Sequence, residues 1–194
     1  MSRPLPQADR RRLTDEEYFD LDQQEGVRYD LWNGEPFAMD VMAMPGGSLR
    51  HSLIAMSVGK ALLDRLGGRG CRVFNSDLRL RLSSDGDYCH PDVILVCDPA
   101  PYEQYIDNPL LIVEVLSAGT ESDDRGLKFQ RYRALPSLQA YLLLAQDRPH
   151  AELYQRAGEG LWHLTEASGV EAVLKITGLD LALPLAEIYR QVEF

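Results

Sequence analysis

The apolar positions of this chain change period as it runs, and each change marks an element. From about Ser48 to Leu66 the residues Ile54, Val58, Ala61, Leu62 and Leu66 recur at the spacing of one helical face, and Gly67-Gly68 stops the run. This predicts a core-facing helix. Phe74, Leu78, Leu80 and Leu82 alternate instead with Arg79 and Arg81, the pattern of a half-exposed strand that Ser83-Ser-Asp-Gly86 turns back. Two almost wholly apolar runs follow, His90-Pro-Asp-Val-Ile-Leu-Val-Cys97 and Leu110-Leu-Ile-Val-Glu-Val-Leu116, with Gln139 to Ala145 as a third. Their length and apolar content predict buried strands.

Cap and turn chemistry supplies the remaining elements. Thr14-Asp-Glu-Glu17 has the form of a capping box and predicts a short helix through about Asp22. Val27 to Trp32 and Glu35 to Met39 flank Asn33-Gly34, a dipeptide suited to a tight hairpin turn, and Gly46-Gly47 then breaks the chain. Ser117 to Ser122 is a loop rich in cap candidates, and Asp123 to Ala134 reads as a helix that ends before Pro136. A second hairpin, Ala151 to Arg156 with Leu161 to Thr165, precedes a strand near Val170 to Ile176 and a short helix at about Leu185 to Val192. The order predicts an α/β fold, a mixed β-sheet flanked by helices with antiparallel hairpins at both ends. No composition break divides it, so residues 1–194 read as a single domain, with 1–12 as a flexible N-terminal arm.

Two residues do not suit this pattern. Asp92 and Glu114 stand within apolar runs, where a carboxylate is costly to bury unless a positive charge compensates it. A divalent cation would do so. Strand alternation puts Glu114 on one face with Leu110, Ile112 and Leu116, and Asp92 on one face with Ile94 and Val96, so the two acids could converge on adjacent strands. On the following helix Asp124, Lys128 and Tyr132 lie at intervals of four, which can bring the Lys128 ammonium to the same place. Two acids and a lysine suggest metal-assisted hydrolysis of a phosphodiester. Other readings stay open at this point. Either acid can sit in water at a strand end or pair with an arginine, and Asp124 with Lys128 can be a surface ion pair worth only about 0.3–0.5 kcal/mol. His51 lies on the inward stripe near the start of its helix, where the dipole favours a neutral ring, and it reads first as a core or capping histidine.

Composition and charge change the picture in three ways. No apolar run approaches the ~20 residues that cross a bilayer, and the N-terminus lacks the apolar core of a signal peptide, so a cytoplasmic protein without membrane spans is expected. Cys71, Cys89 and Cys97 are odd in number and lack metal-ligand spacing, which fits free thiols in a reducing compartment. The formal net charge of −10 weighs against nucleic-acid binding, which draws on Lys and Arg at phosphates. Bound metal would offset part of it. Arg69 with Arg72, Arg79 with Arg81, and Arg125, Lys128, Arg131 and Arg133 allow a local basic patch.

Five motifs in order then carry a resemblance: Tyr29-Asp-Leu-Trp-Asn-Gly-Glu35, Arg50-His51 opening a helix, Pro91-Asp92-Val93, Val113-Glu-Val-Leu-Ser117, and Asp124-Arg125-x-x-Lys128-x-x-x-Tyr132. Over about residues 14 to 156 the chain resembles the Uma-two family of restriction-endonuclease-like proteins. The resemblance implies that nuclease fold and a metal-dependent endonuclease acting on DNA. It implies one Mg²⁺ or Mn²⁺ held by Asp92, Glu114 and the backbone carbonyl of Val115, with His51 and Asp30 completing the shell and Tyr132 bonded to Lys128 or substrate, or merely packed. The superfamily signature places a lysine two residues after the second acid, where this chain has Leu116, so Lys128 is implied to supply that charge from the helix. Asp30 stands where relatives carry the longer Glu. Cutting both strands of a duplex favours a twofold homodimer, with exposed-strand candidates around Tyr154 and Trp162. The competing expectations are a weak or inactive nuclease-fold interaction module and a hydrolase of small phosphoesters.

Overall fold

A computed structural model describes residues 12–23, 28–39, 48–84, 86–98 and 104–194. The expected N-terminal arm, except its last residue, and the Gly46-Gly47 break lie outside the described residues. The first helix, α1 (Asp15–Asp22), opens on the expected capping box, in which the Thr14 hydroxyl accepts the Glu17 N–H and the Glu17 carboxylate accepts the Thr14 N–H. Strands β1 (Arg28–Trp32) and β2 (Glu35–Met39) pair antiparallel. Their turn places Asn33 at φ 53° and Gly34 at φ 76°, the left-handed pair that a two-residue hairpin needs.

Helix α2 (Leu49–Leu66) buries the five apolar residues that the sequence spacing assigns to its core face. The Ser48 hydroxyl accepts the His51 N–H at 3.0 Å at its start. The alternating stretch from Phe74 to Leu82 is a correction: it is two strands, β3 (Cys71–Asn75) and β4 (Arg79–Arg81), that enter different sheets. Between them the Asn75 side chain accepts the Asp77 N–H and folds the chain into a turn, while the in-out alternation continues across it and hides the break. Strands β5 (Tyr88–Cys89), β6 (Val93–Cys97), β7 (Tyr105–Ile106) and β8 (Leu111–Leu116) follow.

The segment after β8 is helical in three parts, α3 (Glu121–Asp123), a π turn over Asp124–Lys128, and α4 (Phe129–Tyr132). It crosses over to β9 (Ala140–Ala145), which lies parallel to β8, as such a pairing requires. The second hairpin is longer than its sequence signal, β10 (His150–Gly158) with β11 (Leu161–Ser168). A ribbon of β12 (Val173–Ile176) and β13 (Leu181–Pro184), the latter unread in the sequence, leads into α5 (Leu185–Ile188).

The larger sheet has the order β11-β10-β9-β8-β6-β3, and the smaller β2-β1-β5-β4-β7. One face of the larger sheet packs under α2, the β12–β13 ribbon and α5. The other packs under the crossover helix and residues of the smaller sheet, including Leu80, Cys89 and Ile106. Among the described residues no helix is long and apolar enough to cross a membrane.

The cysteines do not stand as three free thiols. Antiparallel pairing of β3 with β6 sets Cys71 directly opposite Cys97, and the two form a disulfide across 26 residues of sequence. Cys89 is the free thiol, and complete burial pushes its pKa well up.

Candidate active site

Strand register brings the two acids together. Val93 pairs with Val113 across antiparallel β6 and β8, which leaves Asp92, one residue before β6, beside Glu114. The Asp92 N–H donates to Glu114 Oε2 at 3.3 Å, and the Val115 N–H donates to Asp92 Oδ2 at 2.7 Å. Val115 therefore meets the site through its amide. Glu114 is 3% exposed, in a strand buried at every position.

The crossover helix lies over the same face. Lys128 Nζ is 3.1 Å from Glu114 Oε1 and 2.8 Å from Asp124 Oδ1, and the Tyr132 hydroxyl donates to Glu114 Oε1 at 2.8 Å. Asp124 is 1% exposed, which overturns the surface ion-pair reading of Asp124 and Lys128. The pair is interior because Tyr141 roofs it from β9, its hydroxyl bonded to the Asp124 carbonyl at 3.0 Å. π turns concentrate at functional positions because the extra residue re-aims side chains, and this one carries both Asp124 and Lys128.

His51 joins from the first turn of α2, with Nε2 3.1 Å from Asp92 Oδ2. Burial pulls its pKa down, but the hydrogen bond and charge of Asp92, helped by Glu114 and Asp124, raise it overall. Three nearby carboxylates thus oppose the half-charge of the helix end, and the ring bonds Asp92 instead of serving as a helix cap. Asp30 is not among the partners of Asp92 or Glu114. It is buried beside His90, whose Nδ1 is 3.2 Å from Asp30 Oδ1 and whose Nε2 is 3.3 Å from Asp22 Oδ2. Its negative charge contributes to holding Lys128 protonated.

The charges at the centre do not balance. Asp92, Glu114 and Asp124 face Lys128 and His51, so three carboxylates meet at most two cations. Burial pushes the Glu114 carboxyl up, Asp92 and Asp124 push it further, and Lys128 and the Tyr132 hydroxyl oppose them. Burial draws Lys128 down, but Glu114 and Asp124 more than reverse it. With all three carboxyls ionised the oxygen donors carry more negative charge than Lys128 and His51 offset, a set that suits a hard divalent cation. Asp124, His90 and Asp22 are the partners that sequence reasoning missed. Asp124 gave a signal, its spacing of four from Lys128, which is equally the spacing of an exposed pair.

Residues 15–186 match the Uma2 family, described as "Putative restriction endonuclease". The chain belongs to this family. Two relatives from Synechocystis sp. (strain ATCC 27184 / PCC 6803 / Kazusa) bear the description "Uncharacterized protein". The one called slr1290 is 34% identical over 192 residues, covering 97% of each chain. The one called sll1609 is 30% identical over 173 residues, covering 87% of this chain and 95% of its own. Among solved structures, a "putative nuclease belonging to DUF820" from Anabaena variabilis ATCC 29413 superposes with a TM-score of 0.70 at 17% identity, covering 92% of this chain and 98% of that one. The fold is the restriction-endonuclease-like one.

This Uma2 chain uses most of its expected basic patch internally. Arg79 binds Asp22, Arg81 approaches Asp15, Arg125 binds Glu152 and Glu121, and Arg131 binds Asp87 while covering the Trp32 ring. Arg72 and Arg133 have no carboxylate partner among the described residues.

Proposed function

We propose that this Uma2 protein is a metal-dependent endonuclease that hydrolyses phosphodiester bonds in DNA, with Asp92, Glu114 and Lys128 at its centre. The observation that carries the reading is the meeting of Asp92, Glu114 and Lys128 from three separate elements, with the Lys128 ammonium 3.1 Å from Glu114. Asp92 and Glu114, with the Val115 carbonyl, would hold one Mg²⁺ or Mn²⁺, which when bound supplies a Lewis acid at the phosphate and a more acidic water.

The remaining chemistry belongs to the chain. Asp124 and Glu114 keep Lys128 charged where negative charge grows on the phosphate oxygens, an electrostatic role worth ~10²–10³-fold in rate. Tyr132 fixes the Glu114 carboxylate in one orientation. His51 holds a proton against Asp92 Oδ2 and balances that carboxylate. A homodimer would supply two such centres for two strands, through the eight-residue edge strand β11, whose Leu161 and Leu164 are exposed. Tyr154 and Trp162, the earlier candidates for that contact, pack instead against Phe129.

The second reading, a nuclease fold used as an interaction module, is favoured by the net charge of −10 and the internally paired arginines. Incubation of supercoiled and linear DNA of varied sequence with Mg²⁺ or Mn²⁺ separates the two. Cleavage by wild type that Asp92→Asn and Glu114→Gln each abolish supports the endonuclease. Wild type that cuts none of these DNAs leaves the module, and cleavage that survives both substitutions moves the chemistry elsewhere.

A further inference from the structure

The face of the larger sheet that carries Glu114 carries a second group of ligating side chains, at its β10–β11 edge. Glu114 pairs with Leu143, Leu143 with Glu152, and Glu152 with Glu166, so these residues form one row across four strands. His150 stands two residues before Glu152 on the same face of β10. One ligand atom from each of His150, Glu152 and Glu166 lies within 4.8 Å of the other two. Glu152 is two strands from Glu114, about 10 Å at ordinary strand spacing. That exceeds the ~4 Å separation of a two-metal catalytic pair, so the two groups are distinct.

Three observations distinguish this cluster from ordinary surface acids. Glu152 and Glu166 are directly opposed across the hairpin, a placement that like charges disfavour. Arg125 binds both carboxylate oxygens of Glu152 and is shared with Glu121, so it answers Glu152 and not the Glu166 that faces it. His150 has its Nδ1 engaged by the Ser168 hydroxyl at 2.8 Å, which leaves Nε2 for another partner and fixes the ring, as a hydrogen bond to the non-ligating nitrogen does for a metal-binding histidine. His150 Nε2 and Glu166 Oε1 are 3.8 Å apart, too far for a hydrogen bond. Two ligands about 2.1 Å from one tetrahedral ion stand about 3.4 Å apart, so a small side-chain movement brings both onto it.

We propose that His150, Glu152 and Glu166 form a second cation site that takes a borderline transition metal of the Zn²⁺ class, with one coordination position left for water. One imidazole and two carboxylates select Zn²⁺ over Mg²⁺, which prefers oxygen ligands and waters alone. The bound ion neutralises the opposed glutamates and clamps the edge strand β11 onto β10.

The test is Zn²⁺ titration of the full chain against a chromophoric chelator, with wild type, His150→Ala, Glu166→Gln and Asp92→Asn. Glu166 is largely exposed, so its substitution leaves the core intact. Asp92→Asn should retain this Zn²⁺, while His150→Ala and Glu166→Gln should each weaken it by more than the ~10-fold that loss of a hydrogen bond to a ligand causes. Co²⁺ in its place should give visible absorption bands that His150→Ala abolishes. Wild type that takes up no Zn²⁺, or Zn²⁺ binding that both substitutions leave unchanged, would overturn the site. Binding is read without DNA, so failure of the endonuclease assay leaves this result standing, and the reverse also holds.

Discussion

Lys128 is the residue on which the proposed chemistry and stability meet. Its side chain is 16% exposed and its ammonium answers two buried carboxylates, so removal leaves Glu114 and Asp124 uncompensated. Breaking a buried pair from one side costs about 3–5 kcal/mol, against a few tenths for a surface pair. Lys128→Met should lose stability on that larger scale in urea unfolding without metal, recover part of it with Mn²⁺, and lose about 10²–10³-fold in DNA cleavage. A loss of only a few tenths would mean that the two carboxylates do not depend on it. Leu116 tests the same charge from the strand. It is buried two residues after Glu114 on the same face, in the core that holds Tyr132. Leu116→Lys combined with Lys128→Leu should therefore cleave better than Lys128→Leu alone, and equal rates would show that the helix position cannot be replaced.

At the scale of elements, the π turn makes the sharpest prediction. Gly126 lies within it, exposed, and a Cβ there would meet nothing within 4 Å. Gly126→Ala should raise stability by about 0.5–1 kcal/mol by restricting the unfolded chain, with cleavage unchanged. A loss of stability in urea would mean that the turn needs glycine. The sequence made some elements plain and concealed others for identifiable reasons. Helix α2 was legible because five residues repeat one face, and the first hairpin because Asn33-Gly34 allows few other conformations. Asp92 and Glu114 stood out because acids interrupt apolar runs. The break between β3 and β4 was hidden because alternation survives the turn, and β13 because Pro184 ends a four-residue strand. The burial of Asp124, the salt bridges of His90 and the Cys71–Cys97 bond all depend on partners distant in sequence. Local periodicity carries no record of these.

At the largest scale, His90, two residues before Asp92, ties α1 to the smaller sheet through Asp22 and Asp30. A neutral imidazole has one N–H, so contacts to Asp22 and Asp30 at both nitrogens are satisfied by the protonated ring. Burial lowers the His90 pKa, but the two carboxylates raise it overall. Asp22, also resisted by burial, is lowered by His90, the Tyr29 N–H and Arg79. The His90 contribution is fully present below about pH 6.5 and lost as pH rises through its higher folded pKa; that of Asp22 is lost as pH falls through its depressed value. Unfolding measured against pH should show a decline above about 6.5 that His90→Gln reduces, and an equal decline in the variant would assign it elsewhere. Unfolding should also be one transition by far- and near-ultraviolet dichroism if the chain is one domain, and two separated midpoints would divide it. The parallel pairing of β8 with β9 has a consequence in time. Residues 117–139 bridge that pairing, and the helix within them crosses the face that holds Glu114. A growing chain can fold Asp92 and Glu114 into place while β9 is still being made, but the ammonium arrives only when the crossover closes. The centre is thus assembled late, by the slow non-local step of sheet formation, and until then its acids remain open to water.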